Sequence, residues 1–345
     1  MVDKITPSDP RIERKTVPVR GQTYSYLLFN PSGPAPPIDT IFLFHGFPDN
    51  GLTWRYQVPA LLALNLRVVV PDNLGFGHTD SPHEVERYSM KNLSADMVGL
   101  AASIVGDDVP FILGGHDWGA GLVWRVALWY PQLVKAVFGV CVPYAPPREN
   151  GKSWEELVLA GGLPNFRYQL QLIGPDVERE IQGKEKIRQF LSATYGGRTA
   201  EGKAGFTTEH GALLDVLPDI GPPPAVMISE EELGYYVDEF ARHGMRGPLN
   251  WYRTGRINID DEAELVERGR DSLRLKMPVL FVAASRDVAV PPAMSASMDK
   301  WVENLTRAEV DTSHWAMWEK PEEFNGHVKA WLEKSVLGGG GKASL

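Results

Sequence analysis

Short apolar runs alternate along this chain with stretches in which apolar residues recur at three- and four-residue spacing. Residues 40–44, 66–70, 109–113, 136–142 and 278–283 read as buried strands, and 308–311 as a weaker one. Residues 54–64, 94–105, 122–130 and 321–334 carry helical spacing between or after them. Residues 16–20 and 23–29 read as an antiparallel pair turning at Gly21-Gln22. Strands separated by helices imply a mostly parallel sheet covered on both faces, an α/β fold. From 148 to 255 the pattern changes: no buried strand is expected there, only helices broken by Gly and Pro. Ser229-Glu230-Glu231-Glu232 reads as a capping box opening a helix through Arg242. The expected organisation is a core of residues 1–147 and 256–337, a helical lid over 148–255, and a flexible tail over 338–345.

Composition narrows the class. The chain has 345 residues, 35 basic and 44 acidic, for a net charge of −9, and no basic stripe. A nucleic-acid partner is therefore not expected. The one cysteine, Cys141, excludes an intrachain disulfide and a cysteine-based metal site, and its apolar setting reads as buried filler. Residues 1–15 are polar, without the apolar centre of a signal peptide, and no run is long enough to span a bilayer. Cytoplasmic residence is the expectation.

Gly114-Gly115-His116-Asp117-Trp118-Gly119-Ala120-Gly121 joins the strand ending near 113 to the helix beginning near 122. A chain that turns from strand to helix within one residue needs small neighbours on either side, and Gly115 and Gly119 stand two before and two after Asp117. This is the G-x-S-x-G nucleophile elbow with aspartate in the serine position, and no G-x-S-x-G occurs elsewhere. The plainer alternative is an Asp that only caps the helix. Asp287 follows the strand 278–283, and His314 follows 308–311. An acid behind an imidazole fixes its tautomer and stabilises its cation. Of the 8 histidines, His314 is the one placed at a strand end with reach to Asp117. His116 adjoins the elbow but is expected to face away. His45-Gly46-Phe47-Pro48 follows strand 40–44 and suggests half of an oxyanion hole, the backbone N–H of Phe47 joining that of Trp118. A cis Phe47–Pro48 bond would suit so tight a turn. Gly75-Phe76-Gly77-His78-Thr79-Asp80 lacks the third glycine and following helix of a dinucleotide site and reads as a loop.

Together His45-Gly46-Phe47-Pro48, Gly115-His116-Asp117-Trp118-Gly119, Asn250-Trp251-Tyr252-Arg253, Asp287 and His314 resemble the soluble epoxide hydrolases of the α/β-hydrolase superfamily. The resemblance runs from about residue 15 to 335 and implies an α/β-hydrolase core with an inserted helical cap. It implies Tyr252, and Tyr168 in Phe166-Arg167-Tyr168-Gln169, as ring-opening acids, although Tyr195, Tyr235 and Tyr236 share the lid. It further implies an alkyl ester on Asp117, hydrolysed by water that His314 and Asp287 activate. A small apolar epoxide and water are the expected substrates, with neither cofactor nor metal. Two other readings stay open. A haloalkane or haloacid dehalogenase uses the same Asp–His–acid set, but has no use for paired phenols, and Phe47 stands where haloalkane dehalogenases commonly carry Asn. A non-enzymatic ligand receptor on the same fold is the other.

Overall fold

The computed structural model describes residues 2–148 and 151–338. Among the described residues ten strands form: β1 (Glu13–Val19), β2 (Gln22–Phe29), β3 (Asp39–Phe44), β4 (Leu66–Pro71), β5 (Phe111–His116), β6 (Val134–Val140), β7 (Phe206–Thr207), β8 (Gly211–Ala212), β9 (Leu275–Ala284) and β10 (Val302–Val310). Eight of them make one sheet in the order β1-β2-β4-β3-β5-β6-β9-β10, in which β1–β2 and β2–β4 are antiparallel and every other pair is parallel. The helices are α1 (Gln57–Leu62), α2 (Met90–Val105), α3 (Trp118–Trp129), α4 (Trp154–Leu159), α5 (Arg167–Ile173), α6 (Pro175–Glu180), α7 (Gly183–Thr194), α8 (Glu230–Ala241), α9 (Arg246–Asn250), α10 (Gly255–Glu267), α11 (Ala316–Glu319) and α12 (Pro321–Leu332).

The central strands are buried on both faces, as a parallel sheet with helices on each side requires. Side chains alternate across β6: the Phe138 ring meets Phe324 and Trp331 of α12, while a Cβ at Gly139 would strike the Trp124 ring of α3. Helices thus cover both faces of the sheet, and the protein has the expected α/β class.

Several boundaries differ from the sequence expectation, each for a local reason. The first hairpin turns at Arg20-Gly21, both at positive φ, one residue earlier than expected. The expected helix over 54–64 splits, because Asn50 accepts from Leu52 N and closes a separate 3-10 turn at Gly51–Trp54. Helix α2 begins four residues early on a Ser89 cap. Strand β10 is longer than 308–311: it lies at the sheet edge, pairs only with β9, and its exposed face hides the apolar signal. Helix α8 opens on the expected box, with Ser229 and Glu232 bonded reciprocally. The ribbon β7–β8 is a strand pair where none was expected, too short to leave a pattern.

The helices α4–α9 lie between β6 and β9 in the chain and are fastened to the sheet's C-terminal edge by buried polar contacts. Tyr236 Oη donates to Asp49 Oδ1 (2.8 Å), Trp251 Nε1 to Leu74 O (2.9 Å), Arg55 Nη2 to Met227 O (2.7 Å), and Tyr195 Oη to Pro48 O. Arg55 also pairs with Glu232 at 3.2 Å and lies over the Trp318 ring. Apart from Gly338, the expected tail over 338–345 lies outside the described residues. Among the described residues no helix is long and apolar enough to cross a membrane.

Candidate active site

The elbow is built by two glycines pressed against backbone. A Cβ at Gly115 would lie 2.3 Å from Gly119 O, and one at Gly119 would lie 2.2 Å from Phe44 O. Only hydrogen fits at either place, so β5 can pass into α3 through Asp117 alone. Asp117 carries the strain of that turn, at φ 54 and ψ −121. It makes no side-chain cap bond to α3, so the helix-capping alternative fails. Its carboxylate Oδ1 instead accepts from Phe47 N at 2.9 Å.

The His45-Gly46-Phe47-Pro48 turn is held from below. His45 Nδ1 donates to Gly46 O (2.9 Å) and its Nε2 accepts from Asn73 N (3.1 Å). Burial pushes the His45 pKa down to about 4, so the ring is neutral and can play both parts. The Phe47–Pro48 bond is cis. These contacts aim the Phe47 amide at Asp117. Trp118 opens α3, where the first amides have no partner within the helix, and its ring meets the Tyr252 ring edge-on at 5.0 Å.

His314, in the turn after β10, stands between two carboxylates. Its Nδ1 donates to Asp287 Oδ2 at 2.6 Å, and its Nε2 lies 3.6 Å from Asp117 Oδ2. Asp287, past the end of β9, is oriented in turn by Ala289 N and Val290 N, both 2.9 Å from Oδ1. Burial alone would raise both carboxyls, but hydrogen bonding and charge from His314 outweigh it and hold both below the ordinary 3.8. Burial likewise opposes the imidazolium, yet the charge and hydrogen bond of Asp287 hold His314 well above 6.5. The two carboxyls are thus each biased toward the charged form and the imidazole between them toward its cation.

One cavity of about 350 Å³ brings Asp117, His314, Asp287, Phe47, Tyr168 and Tyr252 together. The competing phenols are occupied elsewhere: Tyr195 and Tyr236 bond at the seam between helices and sheet, and Tyr235 Oη accepts from Arg14 Nη2. Burial raises both Tyr168 and Tyr252 above the ordinary 10.0, so both are phenols rather than phenolates at neutral pH. Gln169 Nε2 reaches Tyr168 Oη at 3.2 Å.

A family model described as alpha/beta hydrolase fold matches residues 39–167. The epoxide hydrolase srdG of Neurospora crassa is 41% identical over 342 residues, covering 96% of this chain and 98% of that protein. The chain belongs to the epoxide hydrolases of the α/β-hydrolase superfamily. The rat (Rattus norvegicus) bifunctional epoxide hydrolase 2 is 35% identical over 88% of this chain, which spans only 52% of that longer protein. Among solved structures, epoxide hydrolase A from Mycobacterium thermoresistibile superposes with a TM-score of 0.78 at 28% identity, covering 94% of this chain and 98% of that one. Potato (Solanum tuberosum) epoxide hydrolase I gives 0.76 at 26%, covering 94% and 99%.

Sequence reasoning left without a role two residues that meet at the His314 loop. His116 faces the His314 loop, donating from Nε2 to His314 O (2.9 Å), and Cys141 Sγ reaches the same oxygen (3.2 Å). The sequence signals were weak: a histidine beside the nucleophile, and a cysteine at the end of a buried strand.

Proposed function

We propose that the protein opens an apolar epoxide to a vicinal diol through an alkyl ester on Asp117. The observation that carries this is the shared cavity, in which a carboxylate free of any capping duty faces two un-ionised phenols. A carboxylate is already charged at neutral pH and can attack a saturated carbon without a base. The alkoxide that must leave is strongly basic, and Tyr168 or Tyr252 protonates it. A halide would need no such proton, which sets the dehalogenase reading aside.

The charge arrangement closes the cycle. Asp117 Oδ2, the oxygen that the Phe47 amide leaves free, forms the ester bond as the ring carbon–oxygen bond breaks. The phenol loses its proton to the alkoxide and regains one from His314, which has just lost the negative charge of Asp117 and holds its proton less tightly. Neutral His314 then takes a proton from water as the hydroxyl adds to Cγ of Asp117. The Phe47 and Trp118 amides hold the tetrahedral oxyanion; losing one such donor typically costs about 3–4 kcal/mol of barrier. Collapse passes the added hydroxyl proton to the leaving diol and restores carboxylate and imidazolium. Atoms and charge balance as epoxide plus water to diol, with no group beyond these side chains.

His314→Gln is the test, with styrene oxide as probe. Intact-protein mass should rise by the mass of one epoxide and stay there. An unmodified variant, beside a wild type that forms diol, would overturn the ester.

A further inference from the structure

The carbonyl oxygen of His314 is served in an unusual way. Among the described residues no backbone N–H donates to it; its two donors are side chains, His116 Nε2 at 2.9 Å and Cys141 Sγ at 3.2 Å. They come from neighbouring strands: His116 ends β5, and Cys141 follows β6 in a left-handed conformation, φ 65, which β-strand residues do not adopt. Cys141 N donates to Val282 O of β9, the strand that leads to Asp287. One backbone atom of the base is thereby tied to the strands that carry the nucleophile and the acid.

Both side chains are donors at neutral pH. The partner is a carbonyl, which only accepts, so the His116 proton sits on Nε2. Burial first, then the nearby His314 charge, pushes the His116 pKa down to about 3, which keeps the ring neutral. Burial pushes the Cys141 thiol up to about 12, which keeps its proton on sulfur. The arrangement is not what packing alone would select. It leaves His116 Nδ1 buried with no hydrogen-bond partner among the described residues, a cost that an apolar side chain would avoid. The His116 ring also lies 4.7 Å from the His314 ring and 5.3 Å from that of Trp315, centroid to centroid.

We infer that His116 and Cys141 are positioning residues for the base: their shared hold on the His314 carbonyl keeps the imidazole in reach of both Asp287 and the water it activates. The inference rests on the proposed role of His314. It assigns the pair to ester hydrolysis and not to ester formation, because the imidazole takes its proton from water only after the ester bond has formed.

The test separates the two steps in single turnovers with styrene oxide, following adduct by intact mass and diol by chromatography. Cys141→Ala and His116→Met should each slow ester hydrolysis about 5-fold, the ratio one ordinary hydrogen bond maintains. The double variant should approach the loss of about 100-fold that accompanies an ångström of misplacement. Ester formation should change less than about 2-fold, within the range of a group that takes no part in that step. Cys141→Ser and His116→Gln, which keep a donor in place, should recover most of the rate. Equal slowing of both steps, unaffected hydrolysis in the double variant, or donor-retaining variants as slow as the apolar ones would overturn the inference. His314→Gln is run alongside. If it forms no adduct, the ester mechanism falls and this inference with it; adduct there, with normal hydrolysis in the double variant, overturns the inference alone.

Discussion

Gly46→Ala should disable the enzyme while leaving it folded. A Cβ at Gly46 would lie 2.4 Å from Asp117 Oδ1, 2.5 Å from its Cβ and 2.8 Å from its Cγ. Rotating the carboxylate clears the first contact but not the second, because the Asp117 Cβ is fixed by the strained elbow backbone. Ordinary contact begins at 3.4 Å, so the turn and Asp117 must part by about 1 Å, a displacement that typically costs about 100-fold in rate. That factor corresponds to about 2.7 kcal/mol of barrier. The same shift stretches the 2.9 Å bond from Phe47 N to Asp117, so both steps should suffer. Gly115→Ala and Gly119→Ala are the controls. Their Cβ atoms would meet backbone at 2.3 and 2.2 Å, and overpacking of that kind costs about 1–3 kcal/mol or more of stability. The assay pairs kcat/KM for diol formation with thermal unfolding. Gly46→Ala should lose activity with a Tm within a few degrees of wild type, and the elbow variants should lose Tm or solubility first. Activity within about 3-fold of wild type in Gly46→Ala would refute the clash as the controlling effect.

The cavity and the seam between helices and sheet give three further expected outcomes. Tyr252→Phe should slow ester formation about 100-fold, the scale of one donor lost from a developing oxyanion. Tyr195→Phe and Tyr236→Phe, whose hydroxyls bond at the seam, should cost stability and leave ester formation intact; stopped-flow alkylation rates and Tm separate the two cases. Asp49 lies fully buried in that seam, and burial pushes its pKa up to about 7 from 3.8 against the bonds from Thr53, Tyr236 and Asn50. A raised carboxyl favours folding only while protonated, so stability falls as pH climbs from 3.8 to about 7. Asp49→Asn keeps an acceptor for Tyr236 and removes the ionisation. Its Tm should exceed wild type at pH 8 and not at pH 4; a lower Tm at pH 8 would show that the charge stabilises.

What could be read from the chain follows from where physical constraint is local. The elbow was legible because its glycines answer to backbone atoms within the turn itself and on the adjoining strand, so the spacing around Asp117 is a steric necessity at any identity of the surrounding core. The central strands were legible because burial on both faces leaves continuous apolar runs. Edge strand β10 is buried mainly at its ends, and only its last residues stood out. The tyrosines show the opposite limit. Five phenols in the insertion are alike in pattern, and what divides them is their surroundings: three bond to Pro48 O, Asp49 or Arg14, while Tyr168 and Tyr252 line the cavity that Asp117 also lines. That division depends on packing between segments far apart in the chain. His116 and Cys141 lie beyond pattern for the same reason. They meet only because β5 and β6 are neighbours in the sheet and the loop after β10 folds back over their ends. The elbow must announce itself, since its turn forbids most side chains nearby; a side chain that bonds a backbone carbonyl of another segment is bound by no such local rule.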